Sequence, residues 1–581
     1  MNRRQAFLNL PLEIIHLVLT HLVVWPTALD FKLPSQSLAL DPPRLQPPWR
    51  STATYGSALI PISQTCRFLR QAALSYPSLW STIVAVPGLY RLYWIPKNKL
   101  IPLAVVVAPS KNFARILDFY PAVAGRVQEL HIVDVGHRHH HFLQGLLVPY
   151  DHHNLQRYFI SGKQGLPFKW TDYTLPLPPS STNTLRTLSI ANVPLLPQSN
   201  LANLTHLFLR DILLPQLRQK LITALKLCPA LEALVLQRLR DRDEQYSSSK
   251  ESLSELALGR LRRVTFDERL EHGDRTSHHY FLAPLLSTVT HGIAVQILDK
   301  VRLLPRNITS PILGALSQDP SVLVFSLHSP EPLARSHACF IALTAIQPLH
   351  VYHHVMYGEN MLNTGPGRWQ LEHWAERVLG DPTVREVWMC DNTALIPNAP
   401  SAFTNPSLPM LPPSRLAEHE RLLRPNHDGR GEVFQRISTG LPALETLVLA
   451  FDCTELAPNA ATPEPILAVS ADPREHASFR RLRVVYGYRH GRCGDARRTL
   501  RFTHTLQAAG GGRFKLVELV VQLHRLIDVD DGDVDALRAC FASVRVEYVG
   551  RAGPALAPSL PAFCVEPEAG PAREFEYGAL W

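Results

Sequence analysis

The sequence predicts an α/β protein: a small helical module at the N-terminus, followed by an irregular α/β solenoid of short strands backed by helices. Three observations carry this. Residues 1–95 hold two amphipathic segments whose apolar residues recur at helical period. Residues 96–550 repeat an L-x-x-L-x-L pattern, several times preceded by a helix-period stretch and a Pro or Gly break. The length of 581 residues exceeds one ordinary compact domain, and 46% hydrophobic with 19% charged residues is a folding composition rather than a disordered one. Residues 551–581 read as a loosely packed tail rich in Pro and Ala.

The first helix is signalled at its entry. Asn9 or Leu10 precedes Pro11, whose missing N–H costs nothing in a first helical turn, and Glu13 suits the positive end of the helix dipole. Ile14, Ile15, Val18, Leu19, Leu22 and Val23 then form one wide apolar face, and Pro26 closes the helix. Residues 31–58 are rich in Pro and Ser and predict a long inserted loop. A second helix follows, with Ile62, Cys66, Leu69 and Ala73 on one stripe. Pro77 ends it, and Leu79 and Trp80 open a short apolar segment.

Taken together, LPLEIIHLVLTHL and ISQTCRFLRQAALSYPSLWSTI resemble the F-box family. Leu10, Pro11, Glu13, Ile14, Ile62, Ser63, Cys66, Arg67, Pro77, Leu79 and Trp80 match that family's pattern in order and type, and the insertion at 31–58 is the departure. The resemblance implies docking of Leu10, Pro11, Ile14, Ile15, Leu22, Ile62, Cys66, Leu69, Leu79 and Trp80 into a groove on a Skp-type adaptor, which is bound in turn to a cullin. Physically this is a helix-in-groove interface with apolar anchors.

Charge placement is consistent with such a partner. Net charge is +9, and residues 1–100 hold ten Lys/Arg against three acids, so a basic end precedes a near-neutral body. That predicts an acidic partner at the N-terminus. Nucleic acid is not expected, because no basic stripe with interleaved aromatics and no zinc-finger or RNA-binding signature appears. The eight scattered cysteines form no C-x-x-C, which predicts free thiols in a reducing compartment. Pro11, Glu13, His16 and His21 interrupt the apolar N-terminal run, arguing against a signal peptide, and no stretch reaches membrane-spanning length. A soluble protein of the cytoplasm, the nucleus or both is expected, with no membrane partner.

Along the repeat region, Leu217, Leu221, Ala224 and Leu225 precede the strand pattern of Leu231, Leu234 and Leu236. Trp374, Val378 and Leu379 precede Val384, Val387 and Met389; residues 433–437 precede Leu444, Leu447 and Leu449; Leu537 and Phe541 precede VRVEYV. LRTLSI (185–190), LTHLFL (204–209), LRRVTF (261–266), FRRLRVVY (479–486) and LVELVVQL (516–523) repeat the strand half alone. These are leucine-rich-repeat-like units, similar to the divergent repeat domains of fungal F-box proteins. A non-repeating α/β domain with parallel strands would show many of the same segments. The spacing becomes ragged after residue 266, no asparagine ladder follows the strands, and loops are expected at 137–183, 240–256, 393–430 and 454–475.

Catalytic and metal chemistry is weakly signalled. His137, His139, His140, His141, His152 and His153 cluster in sequence, but such a run is more often a solvated loop than a set of ligands on fixed elements. His350 and His354 lie four apart, with Val351 where a zincin helix carries its Glu. Cys493 with His490 and Asp495 are neighbours in sequence rather than a triad in space. AAGGGRFK (508–515) has no Lys-Ser/Thr at P-loop spacing, and Trp369 and Trp374 suit packing on a helix. The expectation is a non-enzymatic substrate receptor of a ubiquitin ligase without cofactor or metal, its protein substrate unspecified. A scaffold with no ubiquitination role and a metal-dependent enzyme using the histidine run are the alternatives.

Overall fold

The computed structural model describes residues 10–22, 59–85, 101–109, 120–136, 139–163, 174–241, 258–267, 293–300, 322–328, 336–343, 351–358, 383–390, 441–453, 479–487, 498–502, 506, 514–550 and 554. Over these the protein is mixed α/β, with parallel sheets and few helices. The chain divides into two compact units. The first comprises Met1–Phe266, Thr276–Phe281 and Glu566–Ala579; the second comprises Asp267–Arg275, Leu282–Val565 and Leu580–Trp581.

The first unit opens with helices α1 (Leu12–Leu22), α2 (Leu59–Thr65) and α3 (Arg67–Ser75), then a 3-10 turn at Pro77–Trp80. Pro11 starts α1 as its position predicts: its carbonyl accepts from the N–H of Ile14 at 3.0 Å and of Ile15 at 3.2 Å. The single second helix expected from the sequence is broken in two at Cys66. That residue has extended backbone (φ −155°), and its Sγ accepts from the Leu69 N–H at 3.5 Å, the geometry of a helix N-cap.

The strands of this unit are β1 (Thr82–Ala85), β2 (Leu103–Val107), β3 (Val127–Val135), β4 (Arg157–Gly162), β5 (Thr187–Ala191), β6 (His206–Arg210), β7 (Leu213–Leu214), β8 (Ala233–Gln237), β9 (Arg240–Asp241) and β10 (Arg263–Asp267). Helix α4 (His140–Leu147) lies between β3 and β4 in the chain, and α5 (Leu217–Lys226) between β7 and β8. β1 through β6 pair in parallel, each with the next in sequence, and β6 continues to β8. β8 pairs with β10, and β7 pairs with β9 as a separate short ladder.

One local device recurs through the array. A buried residue turns the chain by accepting from the N–H three positions on: Leu201 to Leu204 at 3.0 Å, Cys228 to Leu231 at 3.2 Å, Leu258 to Leu261 at 3.0 Å. The carbonyl just before β4, β5, β6 and β8 then takes two N–H groups from the start of the neighbouring strand. Gln156 accepts from Arg186 and Thr187, Arg186 from Thr205 and His206, Thr205 from Glu232 and Ala233, and Glu232 from Arg262 and Arg263, all between 2.8 and 3.0 Å. After β5, β6 and β8 the chain leaves through a left-handed residue: Asn192 (φ 54°), Asp211 (φ 52°) and Arg238 (φ 49°). Leu188, Leu207 and Leu234 share a register row and are buried with Leu221 and Leu225 of α5.

Residues 137–183, expected as a loop, contain α4 and β4. The strand is hard to read because Tyr158, Phe159 and Ile160 are all buried, so both faces are apolar and the alternation that marks a half-exposed strand is lost.

The second unit holds β11 (Ala294–Lys300), β12 (Val322–His328), β13 (Ser336–Leu343), β14 (Val351–Gly358), β15 (Glu386–Cys390), β16 (Thr446–Asp452), β17 (Arg481–Gly487), β18 (Arg498–Leu500), β19 (Glu518–His524), β20 (Ile527–Val529), helix α6 (Asp531–Cys540) and β21 (Ser543–Val549). β15, β16, β17, β19 and β21 are consecutive parallel neighbours, and β18 pairs with β20. The 294–358 stretch departs from that order. β11 is parallel to β14, then β14, β13 and β12 pair antiparallel, and β12 returns parallel to β15. The ragged spacing after residue 266 reflects this change of topology.

Candidate protein-interaction site

The N-terminal helices build a small core from Ile15 and Leu19 of α1, Ala72 and Ala73 of α3, and Leu79 and Trp80 of the 3-10 turn. Leu10, Ile62 and Leu69 pack at its margin. The alanines give α1 and the Trp80 ring room to approach, and the Trp80 indole N–H donates to the Ala73 carbonyl at 2.9 Å. His16 ties the two helices together: its ring stacks on Tyr76 at 4.5 Å, and its Nε2 lies 3.0 Å from the Ala72 carbonyl oxygen.

The residues implied in adaptor docking therefore fall into three groups. Ile15, Leu79 and Trp80 are buried inside the module; Leu10, Ile62, Cys66 and Leu69 are half-buried, Cys66 serving as the α3 cap. Pro11 and Ile14 are exposed. The Leu22 side chain lies outside the described residues. Beside Ile14 the structure exposes five apolar side chains that the sequence pattern passed over. Leu12, Ile14 and Leu17 on α1, and Phe68, Leu74 and Tyr76 in and just after α3, are between 37% and 55% exposed. A helix of eleven residues cannot bury every position of so apolar a sequence, and the surplus faces solvent.

The second unit carries a different surface. On one face of β15, β17, β19 and β21, Arg481 donates to Glu518 at 2.8 Å and Arg545 reaches the same carboxylate at 2.7 Å. Arg483 donates to the Gln522 amide oxygen at 2.6 and 3.0 Å, and Gln522 donates on to Glu547 at 2.7 Å. The Arg483 guanidinium also lies 5.5 Å over the Trp388 ring, whose indole N–H donates to Glu386. The Arg481 hydrogen bond is the first cause holding the Glu518 carboxyl below its ordinary range, with Arg481 and Arg545 charges adding to it. The opposite face is apolar: Leu447, Leu482 and Leu519 share a row and are buried.

The histidine run is split by the fold. His139 precedes α4, and its Nδ1 accepts from the Gly136 N–H at 2.9 Å; His153 is exposed beside Asp151 at 3.2 Å. His152 is fully buried against Tyr120, ring centroids 5.5 Å apart, and burial pulls its imidazole down to about 4. His137 lies outside the described residues, as do the side chains of His140 and His141. Among the described residues no group of three His, Cys, Asp or Glu side chains is placed to hold a metal ion. His354 lies on strand β14, so the four-residue spacing from His350 has no helical meaning there. Cys493, His490, Asp495, Trp369, Trp374 and the glycines of 510–512 lie outside the described residues. A buried pair absent from the sequence reading sits on β3, where His131 Nε2 is 2.6 Å from Glu129 and Arg157 lies 3.9 Å from the same carboxylate.

Among the described residues no helix is long and apolar enough to cross a membrane. No family model matches the chain, and no curated protein is similar to it.

Proposed function

We propose that the chain is the substrate-recognition subunit of a cullin-RING ubiquitin ligase. Its N-terminal helices act as an F-box docked on a Skp-type adaptor, and the strand array, read as a leucine-rich-repeat-like solenoid, binds the protein substrate. The observation that carries this reading is the apolar surface of Leu12, Ile14, Leu17, Phe68, Leu74 and Tyr76 on a module whose sequence resembles the F-box. Solvent-facing aliphatic and aromatic side chains on short helices suit a helix-in-groove interface, and the local excess of Lys and Arg suits an acidic adaptor. In-order parallel pairing of β1 to β6 supports the solenoid reading, since each repeat then contacts only its neighbours. Ubiquitin transfer is catalysed elsewhere in the assembly, and this chain supplies proximity and orientation.

Adaptor capture tests the reading. Alanine at Pro11 and Ile14, both exposed, leaves the Ile15–Leu19–Trp80 core in place and removes an entry contact and an anchor, costing about 2–4 kcal/mol of binding by the standard of interface anchors. Affinity capture under proteasome inhibition is then expected to recover adaptor and cullin with the wild type and to lose them with the variant. Proteins held by both forms and accumulating only with the variant are the substrates. Wild-type recovery of adaptor with the double variant overturns the proposal.

A further inference from the structure

Strand β21 ends the parallel array of the second unit with one side unpaired: among the described residues it is bonded to β19 and to no other strand. All seven of its residues are exposed or half-exposed, whereas Leu519, Val521 and Leu523 on the adjoining β19 are buried. The register aligns Leu519 with Val544, Val521 with Val546 and Leu523 with Tyr548, so the apolar row of the sheet runs out to the open edge. Tyr548 is 56% exposed there. On the other face Arg545 and Glu547 stand at the rim with side chains 55% and 40% exposed. The strand is long, holds no Pro and has no net charge. It lacks the edge lysine, proline or bulge with which proteins discourage strand addition.

We infer that β21 is a self-association edge, and that its occupant is the β21 of a second copy of this chain, paired antiparallel about a two-fold axis through Val546. The argument is the strand's own complementarity. In that register Arg545 of one copy stands opposite Glu547 of the other, and the symmetry makes this contact twice. Val544 meets Tyr548 on the opposite face, and Val546 meets itself. Opposite-charge and aromatic–β-branched cross-strand pairs are the favourable kind, and a two-fold requires one patch to complement itself. Within one chain Arg545 contacts Glu518 and lies 3.8 Å from Glu547, which also accepts from Gln522; these contacts do not saturate either group, since a guanidinium has five donors and a carboxylate about four acceptor sites. One strand pair is smaller than a standard interface, so association is expected to be weak and concentration-dependent.

The test is light scattering of the full chain over a concentration series, with R545E, E547R and an equimolar mixture of the two. Wild type is expected to move from the mass of one chain to twice that mass as concentration rises. R545E places Glu opposite Glu, and E547R places Arg opposite Arg, so each alone stays monomeric. The mixture restores both cross-strand pairs and forms a heterodimer. A wild type monomeric throughout, variants that dimerise as the wild type does, or a mixture that stays monomeric each overturns the inference. Thermal melts confirm that the variants are folded. Should R545E unfold through loss of Glu518, E547R leaves that contact intact and carries the test alone: retained dimer overturns, and folded monomer supports.

Discussion

At the scale of single residues, burial decides what a polar side chain does. Among the described members of the histidine run, His152 is the one buried in the interior, its ring against Tyr120. Desolvation disfavours its charged form, so its folded-state pKa falls to about 4 against an ordinary 6.5. The sign follows from proton counting. The unfolded chain binds a proton at His152 below pH 6.5 and the folded chain does not, so the contribution is intact above pH 6.5 and is lost as pH falls toward 4. The loss is about 1.4 kcal/mol per pH unit within that window. Urea unfolding at pH 7 and pH 5 is expected to show a fall in stability that H152F reduces by roughly 2 kcal/mol. An unchanged pH dependence in H152F removes His152 as its source. The same logic separates Cys228, whose burial beside Ala224 pushes its thiol up to about 12 and makes it an unreactive core residue.

At the scale of the repeating element, the turn–strand–exit device explains why some segments are plain in the sequence. LTHLFL, LRTLSI and LRRVTF surface as β6, β5 and β10 because the residue that closes each turn (Leu204, Leu185, Leu261) and the alternate strand residues Leu207, Leu209, Leu188, Ile190 and Val264 are aliphatic and buried. The exit residue is not legible in the same way. The position that follows β5, β6 and β8 is left-handed although Asn, Asp and Arg in turn occupy it, so no asparagine ladder appears where that geometry repeats. Asn and Asp tolerate that conformation, whereas a β-branched side chain does not. Asn192→Val is therefore expected to cost about 1–3 kcal/mol, and Asn192→Gly to be near neutral, by denaturant midpoint at constant m-value. Equal effects of the two would mean that an Asn192 side-chain contact, rather than its backbone, matters. The N-terminal helices divide similarly. Their apolar period is readable, and Ile15, Leu19 and Ala73 of the expected faces do enter the core. Which apolar residues stay outside was not readable, because Ile14 and Ile15 are identical in type and differ only in the direction α1 turns them.

At the scale of the whole molecule, two units with their own buried rows predict two cooperative structures rather than one. Leu188, Leu207 and Leu234 fill a row in the first unit, and Leu447, Leu482 and Leu519 fill one in the second. Nothing in the L-x-x-L-x-L pattern marks the division at Phe266, because the same pattern serves both sides of it. The 294–358 strands defeat the pattern altogether, since their antiparallel order brings residues together that no fixed repeat length relates. Compact units with separate cores unfold as separate cooperative structures where few contacts join them. Calorimetry is expected to resolve two transitions. Leu207→Ala, which empties a fully buried site at a cost of about 2–5 kcal/mol, lowers one of them by roughly 5–15 °C and leaves the other in place. Leu482→Ala does the reverse, because its row belongs to the other unit. If both substitutions move a single common transition, the two units unfold as one, and stability is shared between them rather than held separately in each.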